Sequence, residues 1–256
     1  MTLLLICAVA AAASALTFFS GFGLGTLLLP VFAVFYPIEQ AVASTAIVHF
    51  LNGLFKLGLV GRHANRIVVL RFGLPAIAGA WAGAWMLERL ADTAVLARYD
   101  AMGIEGEVTA AKLVVGLLLL VFTVVEIIPA TGTRTVAPGV LAIGGLLSGF
   151  FGGLAGLQGA LRSAFLIRAG LSKEVFIASG VVIACLIDVS RLAVYATSMS
   201  GPPTLGYGVL GAAVAAAFAG SWLGNRYLKK ATLQAVQRLV GAMLLIFAIA
   251  LMAGVL

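Results

Sequence analysis

Charged residues are scarce along this chain, and their scarcity is the first constraint on the kind of protein it encodes. Of 256 residues, 10% are Asp, Glu, Lys or Arg and 62% are hydrophobic, whereas a soluble domain carries about 25% charged residues. Because the deficit runs along the whole chain, a fold in water would expose more apolar surface than soluble proteins tolerate. A soluble fold is therefore excluded, and the sequence predicts a protein of the lipid bilayer.

Cysteine and histidine are almost absent. The two cysteines, Cys7 and Cys185, lie in apolar stretches and are expected to be small buried residues, not a disulfide or metal site. The two histidines, His49 and His63, form no convincing catalytic or metal cluster with the acidic residues, which lie mostly in predicted loops. We therefore expect no enzyme activity, metal or cofactor. A GxxxxGK[ST] loop is also absent, which argues against direct use of ATP.

The net charge of +7 is explained better by membrane topology than by nucleic-acid binding. The basic residues lie in short segments between apolar runs, where Lys and Arg retain loops on the cytoplasmic side. No basic segment precedes the apolar N-terminus, so the sequence predicts a first membrane segment there and not a signal peptide.

Apolar segments of about 20 residues are long enough to span a bilayer. The predicted spans are 40–60, 68–90, 110–128, 174–197, 205–224 and 236–255. Two longer apolar stretches, 3–36 and 138–170, are each interrupted by a glycine-rich run. We predict that each stretch is a helical hairpin that turns at this run, at 20–25 in the first and 148–153 in the second. The fold class is therefore an all-α integral membrane protein.

The two halves of the chain repeat one another in a common order, which predicts an internal duplication. The matching features are the runs SGFG and SGFFGG, the runs GAWAG and GSWLG, Glu39 and Glu174, Ser44 and Ser179, and Lys56 and Arg191. The basic loop 61–71 has an uncharged counterpart at 198–203, and the acidic loop 88–107 has a basic counterpart at 226–238. Since basic loops face the cytoplasm, equivalent loops lie on opposite sides.

The sequence therefore predicts two inverted-topology repeats, 1–130 and 131–256, with both termini outside the cytoplasm. Each repeat consists of a glycine-broken hairpin and three transmembrane helices. This architecture is typical of secondary transporters, whose binding sites lie between the repeats.

Polar residues inside a membrane helix usually face a cavity, one another or a transport pathway. Two predicted spans carry such residues every three or four positions, on one helical face. They are Thr45, His49, Asn52 and Lys56 in the 40–60 span, and Asp188, Arg191 and Tyr195 in the 174–197 span. In an inverted repeat, the two stripes would meet across a central axis.

These residues have alternative interpretations. Lys56 lies near the end of its span, where a lysine often extends its amine to the membrane surface. Arg191 can be neutralised by Asp188 one turn earlier. His49 can serve a helix contact as well as a proton-handling role.

The glycine turns form a second candidate site. Glycines let the chain turn sharply and expose backbone N–H groups at the start of the next helix, where the helix dipole favours an anion. The hairpin residues expected to bind substrate are Ser20, Gly21, Gly23, Thr26, Ser148, Gly149, Gly152, Gly153, Gln158 and Arg162. The alternative is that the glycines serve close helix packing.

These motifs resemble those of the TauE/SafE sulfite exporter family, also called the toluene sulfonate uptake permease group, over nearly the whole chain. That family has duplicated SGxxGxGGG…P turns, each followed by P…AVATS. The first copy here runs from Ser20 through Pro30 to Thr45. The second copy, from Ser148, lacks the proline after the turn and carries Arg162 in the region that follows. The resemblance implies a bacterial inner-membrane permease for sulfite, a sulfonate or a related sulfur oxyanion.

The sequence and the resemblance together predict an anion transporter that works by alternating access at a site between the two hairpins. Coupling to a proton or sodium gradient and simple facilitated movement are both compatible with this prediction, and homo-oligomerisation is left open. The alternative functions are an anion channel or an accessory membrane subunit of a larger complex.

Overall fold

The computed structural model describes residues 2–20, 24–101, 104–127, 138–198, 206–227 and 233–256. Within them the chain forms ten α-helices, one 3-10 helix and one β-hairpin. The helices are α1 (Thr2–Ser20), α2 (Leu24–Ala33), α3 (Ile38–Val60), α4 (Arg66–Ala91), α5 (Ala110–Ile127), α6 (Pro138–Ala155), α7 (Gln158–Ile167), α8 (Lys173–Ser198), α9 (Tyr207–Tyr227) and α10 (Leu233–Met252). The 3-10 helix is Gly61–His63, and the strands are β1 (Ala97–Ala101) and β2 (Ile104–Val108).

The predicted spans correspond to α3, α4, α5, α8, α9 and α10, whose ends lie within a few residues of the predicted ones. Of the described helices, four are long and apolar enough to cross a membrane, namely α3, α4, α8 and α9. Large apolar side chains such as Leu70, Trp81 and Ile246 are exposed on the outer surface, where lipid would cover them. The prediction of an all-α membrane protein is confirmed.

The second hairpin turns later in the chain than predicted. Residues 148–153, the predicted turn, lie inside α6, and the chain reverses at Gly156 and Leu157 before α7. Gly156 has a φ of 75°, a left-handed conformation that favours glycine. The predicted turn position was wrong because the earlier glycines pack helices together. In the first hairpin, Gly21 and Gly23 lie outside the described residues.

The glycines of α6 allow its backbone to approach α4 closely. A Cβ atom on Gly149 would lie 2.0 Å from the carbonyl oxygen of Ala76, a distance that no real side chain permits. The same restriction holds at every fourth residue of the contact on both helices: Gly145, Gly149 and Gly153 on α6, and Gly79 and Gly83 on α4. Small residues at this spacing allow tight association of membrane helices.

α1 packs on α9 in the same manner. A Cβ atom on Gly220 would lie 2.1 Å from the carbonyl oxygen of Ala11, and one on Gly224 would lie 2.6 Å from that of Ala15. Residue numbers rise together along both glycine contacts, so α1 runs parallel to α9, and α6 runs parallel to α4. Because α3 also packs on α8 and α5 on α10, helices from one half of the chain pack on helices from the other.

The two β-strands lie in the acidic loop predicted at 88–107, and β2 ends one residue beyond it. The strands pair antiparallel. The Tyr99 hydroxyl donates to the carbonyl oxygen of Ala253 at 2.6 Å, and the Glu107 amide donates to that of Gly254 at 2.9 Å. The hairpin is thereby fastened to the chain that follows α10.

The two ends of the molecule differ in charge. The Asn65 amide, just before α4, donates to Ser179 Oγ near the start of α8 at 2.9 Å, so these two helices begin at the same end. This end, called the basic end below, also holds the 3-10 helix and the ends of α7 and α9. Among the described residues, its exposed basic side chains are Arg62, Arg66, Arg71, Arg168, Lys173 and Arg226. The β-hairpin lies at the opposite end.

Candidate functional site

α3 and α8 cross at the centre of the molecule and bring the two polar stripes into contact, as the sequence predicted. His49 Nδ1 on α3 lies 2.5 Å from Asp188 Oδ2 on α8. The helices approach closely because one turn later α3 has no side chain: a Cβ atom on Gly53 would lie 3.0 Å from Cys185 Sγ. Asp188 is fully buried, and a carboxylate inside the membrane requires partners.

Asp188 obtains those partners from α8 and α7. Its Oδ1 accepts hydrogen bonds from Arg191 Nε at 3.0 Å and Nη2 at 2.7 Å, and from Gln158 Nε2 at 3.0 Å. Arg191, which is also fully buried, donates from Nη1 to the carbonyl oxygen of Gly152 at 3.1 Å. Asp188 and Arg191 therefore neutralise each other.

Gln158 connects this ion pair to Arg162. Its Oε1 accepts from Arg162 Nη1 at 3.0 Å, while its Nε2 donates to Asp188. The Ser148 hydroxyl donates to the Gln158 carbonyl oxygen at 2.9 Å and so fixes the start of α7 against α6. One continuous set of hydrogen bonds thus runs from His49 to Arg162.

A cavity of about 50 Å³ lies between α3, α7 and α8, beside the start of α2. Its polar lining residues are His49, Asn52, Lys56, Arg162 and Ser163. Its wall is otherwise apolar, with Leu24, Leu166 and Phe176 among its members. No acidic residue is found among the described residues of the lining. Two cations, a hydroxyl and an amide form a set of donors suited to an anion, and the imidazole joins them when it is protonated.

The two hairpins meet next to this cavity. A Cβ atom on Gly25, at the start of α2, would lie 3.2 Å from the carbonyl oxygen of Gly156 in the second hairpin turn and 3.6 Å from Thr45 Cγ2. Thr45 is buried, and its hydroxyl oxygen has no hydrogen-bond partner in the described part of the chain. Thr26 is buried one residue farther along α2.

Asn52 has a structural role in addition to lining the cavity. Its Nδ2 donates to Ser14 Oγ at 2.9 Å and its Oδ1 accepts from Ser221 Oγ at 2.8 Å, while the two hydroxyls lie 2.6 Å apart. These three buried side chains tie α3 to α1 and α9. Sequence reasoning missed Ser14 and Ser221, although each is a polar residue isolated in an apolar helix.

The predicted glycines of the second hairpin lie outside the described lining of the cavity. Ser20 ends α1, and Gly149, Gly152 and Gly153 lie in α6. The carbonyl oxygens of Gly152 and Gly153 accept from Arg191 and from the Tyr195 hydroxyl. Sequence reasoning also missed Ser163, which follows Arg162 directly and lines the cavity.

Comparison with known protein families gives a match over residues 6–251 to the family described as Sulfite exporter TauE/SafE. The matched region includes both hairpins, both polar stripes and every described residue of the cavity lining. No curated protein was found to match the chain.

Proposed function

Because this chain belongs to the TauE/SafE sulfite exporter family of membrane transporters, we propose that it carries a small sulfur oxyanion across the bacterial inner membrane through the cavity between α3, α7 and α8. The observation that supports this proposal most directly is the lining of the cavity. It holds the cations Lys56 and Arg162 and, among the described residues, no carboxylate.

The charge balance around the cavity favours an anion with two charges. Asp188 is balanced by Arg191 through two hydrogen bonds, so that pair adds no net charge. When both are protonated, Lys56 and Arg162 bring two positive charges to the lining while His49 is neutral. Since charges interact strongly in the low dielectric of a membrane protein, a dianion would be held there more tightly than a monoanion.

The size of the cavity favours the smaller members of this substrate class. A cavity of about 50 Å³ holds roughly four water-sized groups, the number of non-hydrogen atoms in sulfite. Sulfite is therefore the preferred candidate, and thiosulfate, with five non-hydrogen atoms, is the next in size. A bulky aromatic sulfonate would require the cavity to widen.

The packing of the helices supports inverted repeats and alternating access. α1 and α6 each begin a hairpin, and they run parallel to α9 and α4, which cross the molecule in opposite directions. The hairpins therefore enter from opposite ends, as an inverted duplication requires. The cavity lies toward the basic end, where Lys56 nears the end of α3. If the basic end faces the cytoplasm, the cavity lies on the cytoplasmic side of the molecule.

Counterflow in proteoliposomes tests the proposal. Vesicles loaded with unlabelled thiosulfate or sulfite should accumulate the same radiolabelled anion transiently, because a carrier exchanges one bound anion for another. A channel would conduct the anion without this overshoot. Empty vesicles serve as the control, and failure of every sulfur oxyanion to move in either direction would contradict the proposal.

A further inference from the structure

We propose that the His49–Asp188 pair is the proton-binding site of this transporter, and that a proton and the substrate anion are bound and carried together. This inference rests on the proposed anion transport and adds the identity of the coupling ion. It is carried by the position of one imidazole, which contacts a buried ion pair on one side and lines the anion cavity on the other.

The geometry assigns different roles to the two ring nitrogens of His49. An ionised carboxylate accepts hydrogen bonds and donates none, so the proton in the 2.5 Å contact with Asp188 belongs to Nδ1. The other nitrogen, Nε2, is then the atom that gains a proton. The side chain is 12% exposed while that of Asp188 is 0% exposed, so the imidazole is the accessible member of the pair.

The charges around the imidazole make its protonation depend on the anion. The titratable and charged groups that surround it are Asp188, Arg191 and Cys185 from α8, Arg162 from α7, and Lys56 on α3 itself; α2 and the facing part of α9 contribute polar and apolar groups only. Asp188 attracts the proton, but its charge is already balanced by Arg191. Lys56 and Arg162 repel the proton until an anion lies between them.

Proton and anion therefore favour each other's binding. A protonated His49 adds a third positive charge to the lining of the cavity, and a bound anion removes the repulsion that opposes protonation. By thermodynamic linkage the two effects are equal in size. Because each ligand stabilises the other, the loaded carrier holds both, and both cross in the same direction.

A hydrogen-bonded connection links the two binding sites. Asp188 accepts from His49 on one oxygen and from Gln158 on the other, and Gln158 in turn accepts from Arg162. A change in the His49–Asp188 contact therefore reaches a cation of the anion cavity through one intervening side chain.

NMR can test the protonation of His49 directly, because the chain contains two histidines. The second, His63, is exposed in the 3-10 helix at the basic end and can be replaced. In tag-free His63→Gln protein with isotope-labelled histidine, every imidazole NMR signal comes from His49. Thiosulfate is the probe, since as the anion of a strong acid it carries no proton of its own near neutral pH. Its addition to protein in lipid nanodiscs should shift the His49 signals toward the protonated form.

Affinity gives the second readout. In the wild type and in His63→Gln, thiosulfate should bind about tenfold more tightly at about pH 6 than at about pH 8. In His49→Asn, whose side-chain amide can still donate to Asp188 but cannot be charged, this pH dependence should be much smaller than in the wild type. Monodisperse elution and an unchanged melting temperature establish that the variant is folded. If His49→Asn does not fold, the NMR result on His63→Gln alone decides whether His49 is protonated when the anion binds.

The outcomes separate the two proposals. Thiosulfate binding without protonation of His49, or with the same pH dependence in His49→Asn as in the wild type, would overturn the proton site and leave anion transport standing. If the wild type bound none of thiosulfate, sulfite and sulfate at either pH, both proposals would be overturned.

Discussion

Lys56 and Arg191, which the predicted repeat aligns with each other, have different surroundings. The offset that aligns Lys56 with Arg191 also aligns Gly53 with Asp188. Arg191 therefore has a carboxylate one turn before it and forms a buried ion pair. Lys56 has a glycine at that position and lines the cavity. The two cations thus differ by one carboxylate among their neighbours on the helix.

Replacement of Arg191 tests its role at this scale. Arg191→Gln should lower the stability of the protein by about 3–5 kcal/mol, because Asp188 would remain buried without its balancing charge. Thermal unfolding in detergent measures the loss. The double variant Asp188→Asn with Arg191→Gln should recover part of the stability, since it leaves no buried charge behind. Unaltered unfolding of the single variant would show that the ion pair does not support the fold.

The sequence predicts which residues line the two helical faces better than it predicts which side chains bond to one another. The polar stripes could be predicted because the positions share one helical face, and the contact of His49 with Asp188 follows from their meeting. The bonds of Asn52 to Ser14 and Ser221 could not be predicted, since they depend on how α1 and α9 pack on α3.

At the scale of elements, glycine serves two purposes that a sequence does not separate. The runs that suggested turns include the face on which α6 packs against α4. Gly145, Gly149 and Gly153 recur at every fourth position, a spacing that is typical of helix packing. Gly156, at which the chain turns, does not share this spacing. Helix bounds were predicted well because apolar length defines them. The β-hairpin was missed, although 104–108 alternates apolar and polar residues as strands do.

A pair of glycines in α6 provides a matched test of the packing. Gly149→Ala should destabilise the protein by about 1–3 kcal/mol, because the added methyl group would force α6 away from a carbonyl oxygen of α4. Gly139→Ala places the same group in open space and should be neutral or stabilise by about 0.5–1 kcal/mol, since alanine loses less entropy in a helix. Equal melting temperatures for the two variants would contradict the close contact.

At the scale of the whole molecule, the proposed orientation places the basic end in the cytoplasm. Single cysteines at Ala64, beside the 3-10 helix, and at Asp100, in the β-hairpin, test this orientation in a chain whose Cys7 and Cys185 are replaced by alanine. A membrane-impermeant maleimide should label Asp100→Cys in spheroplasts and Ala64→Cys only after permeabilisation. Labelling of both from the same side would exclude the proposed topology.

The central claim, that the cavity between α3, α7 and α8 binds the transported anion, is tested most directly by two arginines close together in the chain. Arg162 lines the cavity, whereas Arg168, just beyond α7, is exposed at the basic end. The measurement is the dissociation constant for thiosulfate. Arg162→Gln should weaken binding about tenfold or more, because a charge-assisted hydrogen bond contributes about 1.5–3 kcal/mol, and Arg168→Gln should bind as the wild type does. Equal affinity in the two variants would contradict the assignment of the cavity as the substrate site.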